Sequence, residues 1–194
     1  ELTSGSTWLA AGNVVQWTSS RTASRLHQYS IRLYRDLEAG REFGLVPLGM
    51  RALLNSLRLE KSYRLGGDIC GEETAIEAGL EPFVRFDKGE FVGREALLRK
   101  NERGIAKRFV TLIVDAGDAD AYGDEAVWSG DQVVGRVTSG GWGHRVEKSI
   151  ALGFVAVEVA LPGTILEVEI LDERRTANVV PPSVYDPENK KLKG

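Results

Sequence analysis

Between residues 22 and 39 the chain carries large side chains at intervals that match the period of a helix. Positions on one face are separated by three or four residues: Leu26, Tyr29, Ser30, Leu33, Tyr34 and Leu37. This spacing predicts a helix over residues 22–39 with one mainly apolar face. Gly40 follows as a suitable C-terminal stop.

The next part of the chain, up to about residue 107, alternates helical patterns with glycine turns. A helix is predicted over residues 50–60, and a shorter one over residues 94–102, where Glu95 and Arg99 have the i,i+4 spacing of an ion pair. Glycines break the stretch between these helices into turns: Gly66, Gly67 and Gly71. This segment is therefore predicted to be mixed helix and loop.

From Phe109 onward the apolar positions recur with a period of two. Strands are predicted over residues 109–115, 133–137, 150–157, 164–171 and 176–180. Turn residues separate these runs, and the glycine cluster over residues 140–143 is interpreted as a β-turn. Short strands at regular spacing are typical of a small antiparallel barrel or sandwich, so the whole chain is predicted to be α+β.

Composition describes an ordinary globular protein of one large or two small domains. Apolar residues make up 42% of the 194 residues, charged residues 27%, and the formal net charge is -3. No apolar run approaches the roughly 20 residues that a membrane helix needs, and the charge is mixed and slightly acidic overall. Neither nucleic-acid binding nor membrane insertion is predicted.

The chain has one cysteine, Cys70. It has no second cysteine for an internal disulfide and no Cys or His partner at metal-ligand spacing. We interpret Cys70 as a small, partly buried structural residue, and a reducing compartment, the cytoplasm, is the predicted location.

Glu60 and Asp68 are the first candidates for chemistry because two carboxylates can act together as acid and base. Glu60 lies in a predicted helix whose neighbours Arg58, Lys61 and Arg64 are suitable ion-pair partners. The structural interpretation, an ion-paired Glu60, is therefore favoured over the catalytic one.

Other candidate motifs lack the spacing that their chemistry requires. A group of aspartates invites a calcium interpretation but lacks the glutamate and glycine positions of an EF-hand: Asp115, Asp118, Asp120 and Asp124. Ser139 and His144 lie close in sequence without a Gly-x-Ser-x-Gly elbow or a third carboxylate. No catalytic residue and no metal site are predicted.

An ordered series of short motifs runs through roughly the last three quarters of the chain. The series comprises Leu57-Arg58-Leu59-Glu60-Lys61, Gly67-Asp68-Ile69, Glu77-Ala78-Gly79-Leu80, Phe91-Val92-Gly93-Arg94-Glu95-Ala96-Leu97, Gly135-Arg136-Val137-Thr138-Ser139-Gly140-Gly141, Ser149-Ile150-Ala151-Leu152 and Val184-Tyr185-Asp186-Pro187-Glu188-Asn189. In order and spacing it resembles the C-terminal, glycine-cleavage T-protein-like half of the dimethylglycine and sarcosine dehydrogenases. The resemblance implies a C-terminal antiparallel β-barrel of the aminomethyltransferase type.

In that family, a flavin domain oxidises an N-methyl amine and the T-protein-like domain passes the released carbon to tetrahydrofolate. Residues 1–12 resemble the beginning of the flavin domain, but Leu9 stands where several members carry the histidine that bonds to FAD. A leucine has no ring nitrogen for that bond, and no Gly-x-Gly-x-x-Gly fingerprint is present. FAD thus belongs to the full-length relatives, and the chain resembles an internally shortened member.

The resemblance divides the chain into four segments. They are a flavin-domain-like remnant with one long helix (1–44), a T-protein-like α+β segment (45–107), the C-terminal barrel (108–187) and a tail (188–194). The family's transfer-assisting acid and most pterin contacts come from a part that would precede Leu45. On the remaining side, the predicted folate contacts are Arg64, Asp68 and Ser139.

Three functional hypotheses follow from the resemblance. The first is a shortened relative without oxidoreductase activity by itself, and the second is a tetrahydrofolate-binding one-carbon transfer module that works with another chain. The third is a non-catalytic interaction domain. No cofactor is expected in this chain alone, although the resemblance allows tetrahydrofolate. Self-association, or a chain that supplies the missing half-domain, is predicted because an incomplete domain exposes apolar surface.

Overall fold

In the computed structural model of the protein, the structure describes residues 50–69 and 71–193. The chain divides into two units between Leu57 and Arg58, and only residues 50–57 of the first unit are described. The predicted helix over residues 22–39, the position of Leu9 and that of Cys70 all lie outside the described residues.

Two predicted helices are confirmed. Helix α1 is Met50–Glu60, and helix α2 is Arg94–Arg103, with Glu95 and Arg99 paired at 3.3 Å between Oε2 and Nη1. Short 3₁₀ turns, Glu81–Phe83 and Phe86–Lys88, lie between them, and the segment predicted as a tail contains the short helix α3, Lys190–Lys193. In the described part of the chain, no helix has the length and apolarity to cross a membrane.

Six antiparallel strands close into a barrel. Their bounds are β1 Lys107–Val114, β2 Ala126–Ser129, β3 Gln132–Gly143, β4 Lys148–Ala156, β5 Ile165–Ile170 and β6 Glu173–Val180. Around the barrel the order is β1-β4-β3-β2-β5-β6, and β6 pairs with β1 to close it. The α+β prediction is confirmed, and of the two predicted arrangements the barrel is correct.

Strand β3 corrects the interpretation of the glycine cluster at residues 140–143. The cluster is the C-terminal end of a 12-residue strand, and Gly140 pairs with Ala151 of β4. A Cβ on Gly140 would lie 2.3 Å from the carbonyl oxygen of Ala121, so glycine is needed here for close packing rather than for a turn. Strand β2 was not predicted because it has only four residues and a bulge.

Strand β4 is buried on both of its faces, which explains how the central segment is attached to the barrel. Successive side chains of a strand point to opposite faces, and alternate residues of β4 belong to an outer apolar cluster that also contains residues from α1 and from the Glu77-Ala78-Gly79-Leu80 motif. The buried members of this cluster are Leu59, Ala78, Phe109, Ile150, Leu152 and Phe154. The segment after α1 is thereby packed against the outside of the barrel.

Candidate functional site

The candidate site lies where the segment after α1 meets β3. A turn over residues 66–68 delivers Asp68, and the Asp68 backbone N–H donates to the carbonyl oxygen of Leu65 at 2.9 Å. A Cβ on Gly66 or on Gly67 would have no neighbouring atom within 4 Å, so the space around this turn is open. The carboxylate of Asp68 is turned inward and has no solvent exposure.

Four donors converge on this carboxylate, and we call the group the Asp68 network. Its Oδ1 accepts hydrogen bonds from Ser139 Oγ at 2.5 Å and Thr138 Oγ1 at 2.6 Å. Its Oδ2 accepts from Arg58 Nη1 at 2.6 Å and from the backbone N–H of Leu65 at 2.8 Å. Both oxygens are thus satisfied by the protein, and the network joins the central segment to the barrel.

A β-bulge in β3 allows two successive residues to reach the same oxygen. In a regular strand Thr138 and Ser139 would point to opposite faces. The pairing of β3 with β4 shifts register between Val137 and Ser139, and such an extra residue re-aims side chains locally. Thr138 was missed by the sequence reasoning because a bulge leaves no clear signal in the sequence.

The network holds Asp68 in its ionised form. Burial raises the pKa of Asp68, but the hydrogen bonds from Leu65, Ser139 and Thr138 and the positive charge of Arg58 together outweigh burial, and the pKa is below its ordinary value. The Arg58 guanidinium is nearly buried and also donates to the carbonyl oxygen of Tyr63 at 3.3 Å. Asp68 therefore neutralises Arg58 and fixes its orientation.

Arg64 occupies a separate position and has no direct bond to Asp68 among the described contacts. Its Nη1 donates to the carbonyl oxygen of Ser62 at 3.1 Å, and its guanidinium lies 4.6 Å above the ring of Phe109. Burial lowers the pKa of Arg64, and the positive charge of Arg108 lowers it further. Of the three predicted folate contacts, Asp68 and Ser139 are thus brought together and Arg64 stands apart, and their contact with folate stays a prediction.

Glu60 has a structural role, as predicted, but the predicted partners are wrong. Its buried Oε1 accepts the backbone N–H of Arg145 at 2.5 Å, and its Oε2 has no hydrogen-bond partner among the described residues. The three basic neighbours bond elsewhere: Arg58 to Asp68, Lys61 to Asn189 and the Asp186 carbonyl, and Arg64 to Ser62. The carboxylate of Glu60 instead reaches the loop between β3 and β4, in which Arg145 lies.

Two aspartates of the acidic group at residues 115–124 form ion pairs with arginines. Asp118 Oδ1 lies 3.1 Å from Arg175 Nη2, and Asp124 Oδ1 lies 2.5 Å from Arg136 Nη1. These carboxylates connect the loop between β1 and β2 to neighbouring strands.

Comparison with protein families finds two matches that follow each other along the chain. The glycine cleavage T-protein C-terminal barrel domain matches residues 107–186, and the GCVT N-terminal domain matches residues 27–88. The second match begins within the segment compared above with a flavin domain. The predicted boundary at residues 44 and 45 lies outside the described residues and stays a prediction.

Individual relatives agree with these matches. Mitochondrial dimethylglycine dehydrogenase of Mus musculus is 38% identical over 154 residues, which cover 78% of this chain and 18% of the relative. Aminomethyltransferase of Caldanaerobacter subterraneus subsp. tengcongensis is 34% identical over 167 residues, covering 85% of this chain and 44% of the relative. The chain therefore spans less than half the length of these relatives.

Among solved structures, the glycine cleavage system aminomethyltransferase T from Bartonella henselae has a similar fold. Its TM-score is 0.66 at 25% sequence identity, and the match covers 83% of this chain and 45% of that chain. The resemblance inferred from the motifs is confirmed. The predicted location in the cytoplasm stays a prediction.

Proposed function

The chain belongs to the glycine cleavage T-protein family, and on that premise we propose that it supplies the barrel-side wall of a tetrahydrofolate site. As a shortened relative of dimethylglycine dehydrogenase, it has no oxidoreductase activity by itself. The observation that carries the proposal is the Asp68 network, which holds the central segment and β3 together.

A wall of this kind is preorganised, which is what a folate site requires of its scaffold. A pterin binds in a concave, mostly apolar slot with a few fixed polar groups. Asp68 is fully enclosed and holds Arg58 and the Ser139 strand in position. With one wall only, the ordering cost of binding is poorly offset, so the chain alone binds a reduced folate weakly or not at all and transfers no one-carbon group.

The second wall comes from another polypeptide or from a second copy of the chain. Three large apolar side chains are exposed on the elements that meet at the Asp68 network: Tyr63 (59% exposed), Leu65 (58%) and Trp142 (43%). Large exposed apolar side chains are a feature of surfaces that bind a protein partner. This observation also supports the alternative of a non-catalytic interaction domain.

Titration calorimetry with a stable reduced folate tests the proposal. The chain alone is expected to give no saturable isotherm in the micromolar range. Addition of the half of an aminomethyltransferase that this chain does not match is expected to produce a saturable isotherm. Asp68→Ala should weaken this binding and Arg85→Ala should leave it unchanged, since Arg85 is exposed and pairs locally with Asp87.

Two results would contradict the proposal. Micromolar binding by the chain alone, weakened by Arg64→Ala or Asp68→Ala, would make it a complete folate-binding module. Absence of binding in the presence of the supplied half, with the two chains shown to associate, would favour the non-catalytic interaction domain.

A further inference from the structure

Two guanidinium groups converge above Gly79, outside the Asp68 network. A Cβ on Gly79 would lie 3.0 Å from Nη2 of Arg64 and 3.9 Å from Nη2 of Arg108. Gly79 also has a φ of 69°, which disfavours any side chain. The glycine of the Glu77-Ala78-Gly79-Leu80 motif thus leaves space for both arginines.

The charges at this point do not balance. Arg108 pairs with Glu81 and donates to the carbonyl oxygen of Ile76 at 3.0 Å. Arg64 pairs with no carboxylate in the described part of the chain, and its Nε is buried without a hydrogen-bond acceptor there. The two carboxylates whose charges act on Arg64, Asp68 and Glu81, are each ion-paired with another arginine. The Arg64 guanidinium thus lacks a carboxylate of its own among the described residues, and its buried Nε donor is unsatisfied.

An apolar ring lies on one side of Arg64, and Arg108 is partly exposed to solvent. The ring of Phe109 forms a buried apolar floor beneath Arg64, at 4.6 Å from its guanidinium carbon. Arg108 lies at the rim, where 35% of its side chain is exposed, so a small ligand can approach from solvent. On the side of Gly79 the two arginines face bare backbone, because glycine has no side chain.

We infer that Arg64 and Arg108 bind a small oxyanion, a carboxylate or a phosphate group. Guanidinium groups present planar pairs of N–H donors that match these anions and form strong charge-assisted hydrogen bonds. The anion would supply the missing negative charge and an acceptor for Arg64. The inference goes beyond the proposed function because it requires no folate and no second wall.

The test follows the Arg64 Nε–H resonance by NMR of the nitrogen-15-labelled chain, assigned by its loss in Arg64→Lys. Inorganic phosphate and acetate are titrated separately against chloride at matched ionic strength, which distinguishes the two anion sources from simple screening. A saturable shift in the millimolar range is expected with at least one of them. Arg108→Gln is expected to weaken binding roughly tenfold, the loss of about one charge-assisted contact.

Arg85→Gln serves as the matched control, because Arg85 is exposed and belongs to a local pair with Asp87. It should leave the titration unchanged. If Arg108→Gln does not fold, Glu81→Gln replaces it and should tighten binding, because it removes the carboxylate that competes for Arg108.

A shift of Arg64 that never saturates, or that chloride reproduces, would overturn the inference. So would unchanged affinity in Arg108→Gln or in Glu81→Gln. Phosphate or acetate binding by the chain, without folate binding when the supplied half is present and associated, would keep this inference and count against the folate proposal alone. Folate binding in the presence of the supplied half, without phosphate or acetate binding by the chain, would remove only the oxyanion site.

Discussion

At Asp68 a single buried carboxylate receives four hydrogen bonds, the most distant donor being Ser139, 71 residues away from it in sequence. Such a group stabilises a fold only while all its donors remain paired, because a lone charge or donor in the interior is costly. Removal of the carboxylate charge therefore has a larger effect than removal of one of the donors.

Asp68→Asn is expected to lower the free energy of unfolding by about 3 kcal/mol at neutral pH, because an amide nitrogen would face donors. Ser139→Ala should cost only about 1 kcal/mol. Because the folded pKa of Asp68 lies below its ordinary value of 3.8, its contribution is complete above that value and declines as pH falls through the folded pKa. Urea unfolding from pH 7 to pH 2 should show the difference between wild type and Asp68→Asn shrinking on acidification.

The ionised carboxylate of Asp120 is expected to destabilise the fold, whereas that of Asp68 stabilises it. Burial raises the pKa of Asp120, with Ser149 and the charge of His144 opposing the effect only in part. Its ionised form is therefore less favourable in the folded state than in the unfolded chain. Asp120→Asn is expected to stabilise the protein at pH 7, with the gain vanishing as pH falls below 3.8. An Asp120→Asn variant that is less stable than wild type at pH 7 would contradict this explanation.

At the scale of elements, glycines allow the barrel strands to approach one another closely. A Cβ on Gly153 of β4 would lie 2.3 Å from the carbonyl oxygen of Arg136 and 2.9 Å from Cα of Val137, both backbone atoms of the neighbouring β3. Backbone atoms cannot move aside as a flexible side chain can, so substitution must displace a strand.

Gly153→Ala is expected to lower the free energy of unfolding by about 3 kcal/mol or to prevent folding. Gly66→Ala is the matched control, since its Cβ would have no atom within 4 Å, and a change within about 0.5 kcal/mol is expected there. Thermal unfolding measures both. Equal losses in the two variants would show that the glycines act through chain flexibility rather than through strand contact.

For the whole molecule, the proposed missing wall predicts association. Light scattering at increasing concentration is expected to show species larger than the monomer, and Leu65→Ser should reduce their proportion because it removes an exposed apolar side chain beside the Asp68 network. Phe83→Ser is the control, because Phe83 is also exposed but lies in the separate turn Glu81–Phe83. A strictly monomeric chain at high concentration would contradict self-association.

The resemblance also predicts that this chain carries no flavin. Leu9 offers no atom for covalent attachment, and the sequence contains no dinucleotide fingerprint. After incubation with FAD and removal of the excess, the purified chain is expected to show no flavin absorbance. Flavin that survives denaturation of the protein would overturn this prediction.

The local elements and the family were determined by the sequence itself. The helices Met50–Glu60 and Arg94–Arg103 were predicted because their signals are local in sequence. These signals are the spacing of apolar residues and the turn residues that flank each helix. Most strands were predicted for the same reason, and the ordered motifs identified the T-protein family because they retain their order and spacing along the chain.

The tertiary structure alone decided which of these residues meet. The bulge after Val137 brings Thr138 and Ser139 to one oxygen, Glu60 accepts the backbone of Arg145 rather than its basic neighbours, and residues 140–143 extend β3 instead of turning. Each outcome depends on how closely strands and loops that are distant in sequence pack together. The spacing of apolar positions along the chain does not determine that packing. The same reason hid the convergence of Arg64 and Arg108, which become neighbours only when the central segment packs against β1.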